Sequence, residues 1–332
     1  MIRPAPERDA AIVLQNVQKR FGTTYAVRDL DLVVPRGSLC GFLGPNGAGK
    51  STTIRMIMSI IYPDSGAVRV LDGSALAKKD QIGYLPEERG LYRTMRVVEF
   101  LAYIGTLKGL DGATAKRRAL EWLERIDLPG QAKKKCQELS KGMQQKVQFI
   151  ASVLHDPELL ILDEPFSGLD PMNAMLMSRV ITDLHDAGKT IIFSTHQMRT
   201  AEALCDRVVL INRGEKLLDA PLAEVRTAFD EHTIIIEPQH EDSALMQRLR
   251  GLPGVSDVRR DEENDAHLLV RLNDEQNLQA GMVAVMAFAP MHSVAIKRTS
   301  LDFVFLKLVG DSGGAAPIAP AARVSTTGAP RS

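Results

Sequence analysis

One glycine-rich segment has the residue types and the spacing of a phosphate-binding loop. The pattern G-x-x-x-x-G-K-[ST] fits Gly44-Pro-Asn-Gly-Ala-Gly49-Lys50-Ser51, which follows a short apolar run. Glycines let backbone N–H groups close around a phosphate, Lys50 supplies a cation for the outer phosphates, and the Ser51 hydroxyl suits Mg²⁺. A helix that begins near Lys50 would add the positive end of its dipole. The segment therefore predicts binding of a nucleoside triphosphate, a property that kinases and GTPases share.

Two adjacent carboxylates are the second candidate for chemistry. The apolar run Leu159–Leu162 leads directly into Asp163 and Glu164. Successive side chains of a strand alternate in direction, so these two carboxylates point to different places. Asp163 is a candidate for the Mg²⁺ shell, and Glu164 is a candidate general base for a water that attacks the terminal phosphate. Taken alone, the pair also fits a strand end that turns into solvent.

The elements that must position these residues alternate between short apolar runs and helical patterns. Buried strands are predicted at Ser38–Leu43, Leu159–Leu162 and Thr190–Phe193, because compact apolar runs are typical of a parallel sheet. A helix is predicted at about Pro171–Ala187, between the last two strands. Strand, helix and strand in this order indicate a right-handed crossover, so the predicted fold class is α/β.

A second set of elements begins near residue 230. Their order is β-α-β-β-α-β, which is typical of the split βαβ, ferredoxin-like arrangement. The predicted elements are a strand at His232–Glu237, a helix at Ser243–Leu252, strands at Val255–Arg260 and His267–Leu272, a helix at Glu275–Phe288, a strand at His292–Lys297 and a helix at Leu301–Val309.

Composition excludes some classes of protein. The 332 residues hold 41 basic and 41 acidic side chains, and this balance disfavours a nucleic-acid partner. The three cysteines are scattered, which fits a reducing cytosol and offers neither a disulfide framework nor a zinc site. No run approaches the roughly 18 apolar residues of a membrane span, and the N-terminus lacks the apolar core of a signal peptide.

Taken together, these residues resemble the ATP-binding subunit of an ABC transporter, over about Ala11–Thr227. Three further segments carry the resemblance, namely a signature-like loop at Leu139-Ser140-Lys141-Gly142-Met143-Gln144, a D-loop at Ser167-Gly-Leu-Asp170, and a switch histidine, His196, after Phe-Ser-Thr. Alone, Ser140 and Asp170 read as helix caps and His196 as a structural residue, but the order and spacing of the set favour function. The resemblance implies a P-loop NTPase fold, with a RecA-like core carrying antiparallel β and helical subdomains, followed by the small α+β domain.

The resemblance also implies roles for individual residues. An aromatic side chain stacks on adenine, and Phe21 stands at that place, with Tyr25 as a nearby rival. The signature and the D-loop face the ATP of the other subunit. The implied ligands of ATP are Phe21, Gly44, Pro45, Asn46, Gly47, Ala48, Gly49, Lys50, Ser51, Thr52, Ser140, Gly142 and Asp170. The implied catalytic residues are Glu164, His196 and Glu87, and the implied Mg²⁺ ligands are Ser51, Asp163 and Glu87.

Two positions depart from the family pattern. Glu87 stands where the family usually has Gln, and a carboxylate can join a Mg²⁺ shell but cannot donate a hydrogen bond as an amide does. We expect Glu87 to tune hydrolysis rather than abolish it. Lys141 and Met143 replace Gly and Gln of the usual signature. Lys141 either adds a cation near phosphate or is simply solvated, and the sequence leaves both open.

The resemblance extends to the organisation of the chain and to its partners. We expect a flexible leader at 1–10, an ATPase domain at 11–229, an accessory domain at 230–310 and a disordered tail at 311–332, with the helical subdomain at about 97–153. The accessory domain is either a dimerisation or a regulatory module. The implied partners are a second copy of the chain or a paralogous ATPase subunit, and an integral membrane permease. The implied location is cytoplasmic and peripheral, on the cytosolic face of the plasma (inner) membrane.

Two functions fit such a chain. The tract from Gly83 to Tyr92, with the accessory domain, looks most like the ATPases of sodium-extruding and related ABC-2-type exporters. Three apolar residues lie at the end of that tract or just after it, namely Leu91, Tyr92 and Met95. They either contact the permease or pack within the helical subdomain. The alternative is a soluble ABC-type ATPase acting on DNA or ribosomes. The short segment between Glu87 and Leu139 lacks the heptads of the DNA-repair branch, and the single module is unlike the ribosome-acting branch.

Overall fold

The computed structural model describes residues 9–88, 90–240, 244–261, 264–273 and 278–311. The chain forms two compact units: one holds the residues up to Leu222 and those from Phe305 onward, and the other is Ala223–Val304. The predicted leader at 1–10 and tail at 311–332 fall almost wholly outside the described residues. None of the helices in these ranges has the length and apolar character that a membrane span needs.

The first unit contains two sheets and the helices around them. Six strands form one sheet in the order β5-β6-β7-β3-β8-β9, and β9 alone runs antiparallel to its neighbour. Three strands form an antiparallel sheet in the order β2-β1-β4. The elements are β1 (Ala10–Phe21), β2 (Thr24–Pro35), β3 (Leu39–Leu43), α1 (Lys50–Ile57), β4 (Ser65–Val70), β5 (Ile82–Leu85), α2 (Val97–Leu107), α3 (Gly112–Arg125), α4 (Lys141–Val153), β6 (Leu159–Asp163), α5 (Pro171–Asp186), β7 (Thr190–Thr195), α6 (Met198–Leu204), β8 (Arg207–Asn212) and β9 (Glu215–Pro221).

The central strands form where the sequence has uninterrupted apolar runs. Every residue of β3, β6 and β7 is buried, as expected of parallel strands covered on both faces. Their side chains join a core that also takes Ile54 and Ile57 from α1 and Ile12 and Leu14 from β1. The sheet is therefore held by packing on both sides, which fixes the loops at its edges.

The carboxyl ends of four neighbouring strands carry the predicted chemistry. Gly44 follows β3, Glu87 comes two residues after β5, Asp163 ends β6 and His196 follows β7. Because parallel strands end at the same edge of a sheet, these residues lie along one rim, where open α/β folds bind their ligands.

Helices α2, α3 and α4 form the segment between β5 and β6. Asp111 caps α3 by accepting hydrogen bonds from two backbone N–H groups of its first turn. The chain's single tryptophan, Trp122, packs edge-on against Phe149 of α4, with ring centroids 6.4 Å apart. Apolar contacts of this kind join α3 to α4.

The second unit is built on one antiparallel sheet in the order β11-β12-β10-β13. The elements that follow β9 in the chain are α7 (Leu222–Ala228), β10 (Thr233–Pro238), α8 (Leu245–Arg250), β11 (Val255–Arg260), β12 (Leu268–Leu272), α9 (Leu278–Phe288), β13 (Met291–Ile296) and α10 (Leu301–Asp311). Leu222 of α7 and the residues of α10 from Phe305 onward belong to the first unit. Ile234, Leu249, Val270 and Val285 belong to the core of the second unit. The predicted β-α-β-β-α-β order is confirmed, and the strand order is the ferredoxin-like one.

Candidate active site

The loop between β3 and α1 approaches other backbone segments so closely that only glycine fits. A Cβ atom on Gly49 would lie 2.3 Å from the carbonyl oxygen of Ala26, and one on Gly44 would lie 2.2 Å from that of Ile211. Gly49 also has a φ of 107°, in the region that favours glycine, and it directly precedes α1. The backbone of the loop therefore runs directly into the N-terminus of helix α1. Anions such as phosphate bind at such a position, because the backbone N–H groups and the helix dipole attract them.

Lys50 supplies a buried cation to this loop. Its side chain is only 6% exposed, and Nζ donates to the carbonyl oxygens of Gly44 at 2.8 Å and Pro45 at 3.1 Å. Nζ also lies 4.0 Å from Oε1 of Glu164. Burial lowers the pKa of Lys50, and the nearby carboxylates, Glu164 above all, oppose that shift. The cation thus stands between the phosphate loop and the acidic end of β6.

Three oxygen-bearing side chains meet beside Lys50. Oγ of Ser51 lies 3.3 Å from Oδ1 of Asp163 and 3.4 Å from Oε2 of Glu87. Burial raises the pKa of Asp163, and hydrogen bonds from Ser194 and Ser51 partly offset that rise. A hydroxyl and two carboxylates are the hard donors that Mg²⁺ prefers. The described residues contain no group of three or more His, Cys, Asp or Glu that could hold a metal.

Glu164 is held in a strained and specific position. Its φ of 49° is rare for a residue with a side chain, and such strain concentrates at functional sites. Oε1 lies 3.0 Å from Nδ1 of His196, and the backbone N–H donates to Oγ of Ser194 at 3.0 Å. Glu164 is 8% exposed, whereas the side chain of His196 is half exposed. The carboxylate therefore points into the cleft between two basic groups.

A single cleft gathers most of the residues predicted from the phosphate loop and the acidic strands. It is lined by Ala26, Asn46, Gly47, Gly49, Lys50, Ser51, Thr52, Glu87 and Glu164. Phe21 and Tyr25 are not among these residues. A cation lies near each ring, with Nζ of Lys19 5.7 Å from the centroid of Phe21 and the guanidinium of Arg28 4.9 Å from that of Tyr25. Phe21 is 55% exposed and Tyr25 is 37% exposed. The greater exposure favours Phe21 as the ring that is accessible for stacking.

The signature loop and the D-loop lie beside each other, outside the cleft lining. A Cβ on Gly142 would be 3.3 Å from the carbonyl oxygen of Gly168. The side chain of Ser140 accepts the backbone N–H of residue 143 at 3.3 Å and caps α4, and Asp170 caps α5 in the same way at 3.0 Å. Both residues thus have a structural role, and neither contributes to the cleft of its own chain. Lys141 is exposed.

Sequence reasoning missed Ser194. Its hydroxyl donates to Oδ1 of Asp163 at 2.5 Å and accepts the backbone N–H of Glu164, so it joins both carboxylate residues. The pairing of β6 with β7 sets Asp163 opposite Ser194. The available signal was a serine in the Phe-Ser-Thr-His tract, two residues before His196.

Comparison with known proteins identifies two matching family models. Residues 27–167 match the model described as "ABC transporter", and residues 221–309 match that of the "ATP-binding protein DrrA1-3-like, C-terminal domain". The ABC transporter ATP-binding protein YhaQ of Bacillus subtilis (strain 168) is 36% identical over 90% of this chain and 98% of its own length. The linearmycin resistance ATP-binding protein LnrL of the same organism is 33% identical over 89% of this chain and 97% of its own length.

A solved structure of the ATP-binding cassette MJ0796, a dimer in a post-hydrolysis state bound to ADP and Pi, is also similar. It has a TM-score of 0.60 and 26% identity, and the match covers 64% of this chain and 98% of that one. The predicted family and the predicted fold class are both confirmed by these matches.

Proposed function

The chain belongs to the family of ABC transporter ATP-binding proteins, and on this premise we propose how its site works and what it drives. It is an ATP-binding and ATP-hydrolysing subunit that powers transport through a membrane permease. We propose that the transporter is an ABC-2-type exporter. The match of residues 221–309 to the DrrA1-3-like C-terminal domain supports this type. We assign recognition of the transported substrate to the permease, because the residues that line the ATPase cleft are suited to bind a nucleotide.

The observation that carries the catalytic proposal is the position of Glu164. Its carboxylate lies 3.0 Å from His196 and 4.0 Å from Lys50, at the rim where the terminal phosphate would lie. Glu164 acts as the general base that takes a proton from the attacking water, and His196 orients it. Lys50 neutralises charge on the outer phosphates. Ser51, Asp163 and Glu87 would hold Mg²⁺, which would supply positive charge that offsets the negative charge of the outer phosphates.

The second half of each nucleotide site comes from another subunit. Ser140, Gly142 and Asp170 lie away from the cleft lining of their own chain, which supports a role toward the ATP of a partner. We propose that the partner is a second copy of this chain or a paralogous ATPase subunit. ATP then favours the closed dimer, because it contacts both halves only in that state.

We propose that the permease meets an apolar surface formed by the helical subdomain and the segment that leads into it. Tyr92 and Leu107 are 50% and 58% exposed, and the Tyr92 ring packs edge-on against Phe100 and Tyr103 at 5.9 and 5.8 Å. Exposed aromatic and apolar side chains grouped in this way are typical of protein contacts. This contact supports a peripheral location on the cytosolic face of the plasma (inner) membrane.

The domain boundaries also remain our proposal. We assign residues 11–229 to the ATPase and residues 230–310 to the accessory domain, with the helical subdomain at about 97–153. The division of the chain after Leu222 and the family match that begins at residue 221 support a boundary in this region.

Removal of Mg²⁺ tests the proposed chemistry. The purified chain should release phosphate from ATP in Mg²⁺, and excess EDTA should abolish this turnover, because Ser51, Asp163 and Glu87 offer oxygens suited to that ion. Restoring Mg²⁺ should restore the rate. Turnover that continues at the same rate in EDTA would contradict the assigned metal shell.

Replacement of Glu87 tests its place in that shell. We expect Glu87→Gln and Glu87→Ala to keep measurable turnover but to change its rate and its Mg²⁺ dependence, since Oε2 lies 3.4 Å from the Ser51 hydroxyl. Glu87→Ala should require at least about 10–100-fold more Mg²⁺, because loss of a group that only orients a metal ligand already has that cost. Steady-state phosphate release across a Mg²⁺ titration measures both effects.

The neighbouring Glu88 provides the matched control. Its side chain is 91% exposed, so Glu88→Gln and Glu88→Ala should leave the Mg²⁺ dependence unchanged. Unchanged rates and Mg²⁺ dependence in both Glu87 variants would remove Glu87 from the site.

A further inference from the structure

Helix α4, which begins at the signature loop, buries polar side chains on the face that meets the site. Gln145, Lys146 and Gln148 are each 5% exposed or less. Burial of a polar group is costly unless it is hydrogen-bonded, so the partners of these side chains indicate what the helix holds. Gln145 donates to the carbonyl oxygen of Pro165 at 3.3 Å, and Lys146 donates to Asn173 at 2.8 Å. Gln145 thus reaches the loop after β6, and Lys146 reaches the first turn of α5.

Gln148 reaches the loop that carries Glu87. Its Nε2 donates to the carbonyl oxygen of Pro86 at 3.3 Å and to that of Glu88 at 3.0 Å. Carbonyl oxygens only accept, so the amide nitrogen must face them. The two bonds hold the residues on either side of Glu87 and so fix the backbone from which its carboxylate projects.

The other end of the Gln148 amide is left unpaired. Its Oε1 is buried and has no hydrogen-bond partner within the described part of the chain. An unpaired buried acceptor is destabilising, and an apolar side chain of similar size would avoid that cost. The two donated bonds therefore account for a glutamine at this position.

We propose that Gln148 is a positioning residue that ties the loop of Glu87 to helix α4, so that the two move together. The proposal rests on the proposed function of Glu87 as a Mg²⁺ ligand. Glu87 lies 3.4 Å from Ser51, and α4 begins at Lys141, beside Ser140 of the signature. Occupancy of the metal position in one cleft is thereby transmitted to the signature loop of the same chain.

The tryptophan provides a readout that does not depend on turnover. Trp122 is the chain's single tryptophan, and its ring packs against Phe149, the residue next to Gln148. The wild-type protein is first freed of metal with EDTA and loaded with ADP. Titration of free Mg²⁺ should then change the fluorescence emission of Trp122. An absence of any response, with ADP bound, would overturn the proposal, because α4 would then not follow the metal position.

The variant Gln148→Met keeps the length of the side chain and removes both donors. We expect the Mg²⁺ concentration at half of the emission change to rise by roughly tenfold or more, as for other groups that orient a metal ligand. Gln148→Leu should give the same shift and serves if the methionine variant folds poorly. The control is Ser152→Ala, since Ser152 is a buried polar residue on the same helix and its hydroxyl donates at 2.7 Å to the carbonyl oxygen of Phe149 within that helix instead.

A double-mutant cycle separates positioning from loss of packing. In a Glu87→Ala background, Gln148→Met should cause no further shift of the Mg²⁺ midpoint, because its effect acts through Glu87. An equal midpoint in Gln148→Met and wild type, or a full shift in the Glu87→Ala background, would overturn the proposal. Failure of the wild-type chain to bind ADP would instead contradict the proposed function and is measured separately, with a fluorescent nucleotide.

Discussion

Replacing Glu164 with glutamine is expected to slow ATP hydrolysis by roughly 10²–10⁴-fold, the usual contribution of a general base. The amide keeps the size of the side chain but cannot take a proton from water. In the structure, Oε1 lies 3.0 Å from Nδ1 of His196, and the backbone adopts a φ of 49° directly after Asp163. These constraints at the end of β6 point the Glu164 carboxylate into the cleft.

Phosphate release measured at saturating ATP gives the rate of the Glu164→Gln variant. Binding of a fluorescent ATP analogue should remain near that of wild type, because the phosphate loop and Lys50 are unchanged. A fall in rate with unchanged binding is the pattern of an interaction made in the transition state. Near-normal turnover in Glu164→Gln would refute its assignment as the base.

The parts of this site that sequence predicts are those carried by contiguous residues. The loop from Gly44 to Ser51 has a fixed spacing because backbone N–H groups must surround a phosphate, and the pattern is readable without a fold. The run Leu159–Leu162 before Asp163 is equally local, since a buried strand requires consecutive apolar residues. The β-α-β-β-α-β order of the second unit follows from the same periodicities, and the observed strand order agrees with it.

The parts that sequence does not predict depend on residues far apart in the chain. Ser194 contacts Asp163 across two paired strands, and Gln148 contacts the loop of Glu87 from a helix 61 residues later in the chain. Each of these polar residues lies beside apolar ones in the sequence. Their hydrogen-bond partners become evident only in the folded structure, where distant strands and helices pack together. The left-handed φ of Glu164 is also invisible in sequence, because glutamate has no preference for it.

The central claim is that ATP is hydrolysed between the phosphate loop of one subunit and the signature loop of another. Two variants test this claim, since one damages only the phosphate loop and the other damages only the signature loop. Lys50→Ala removes the buried cation of the phosphate loop and should cost at least roughly 10²-fold in rate, as does loss of other groups that stabilise developing charge. Ser140→Asp keeps a good cap on α4, but its carboxylate would repel the triphosphate of the facing subunit.

Each variant alone should be nearly inactive, because every dimer of identical subunits then has two damaged sites. In a mixture, a dimer of one Lys50→Ala subunit and one Ser140→Asp subunit has one site with an intact phosphate loop and an intact signature. The most direct measurement is therefore phosphate release from the two purified variants, alone and mixed in equal amounts. The proposed mechanism predicts that the mixture regains activity that neither variant has. A mixture as inactive as its components, or full activity in Ser140→Asp alone, would contradict it.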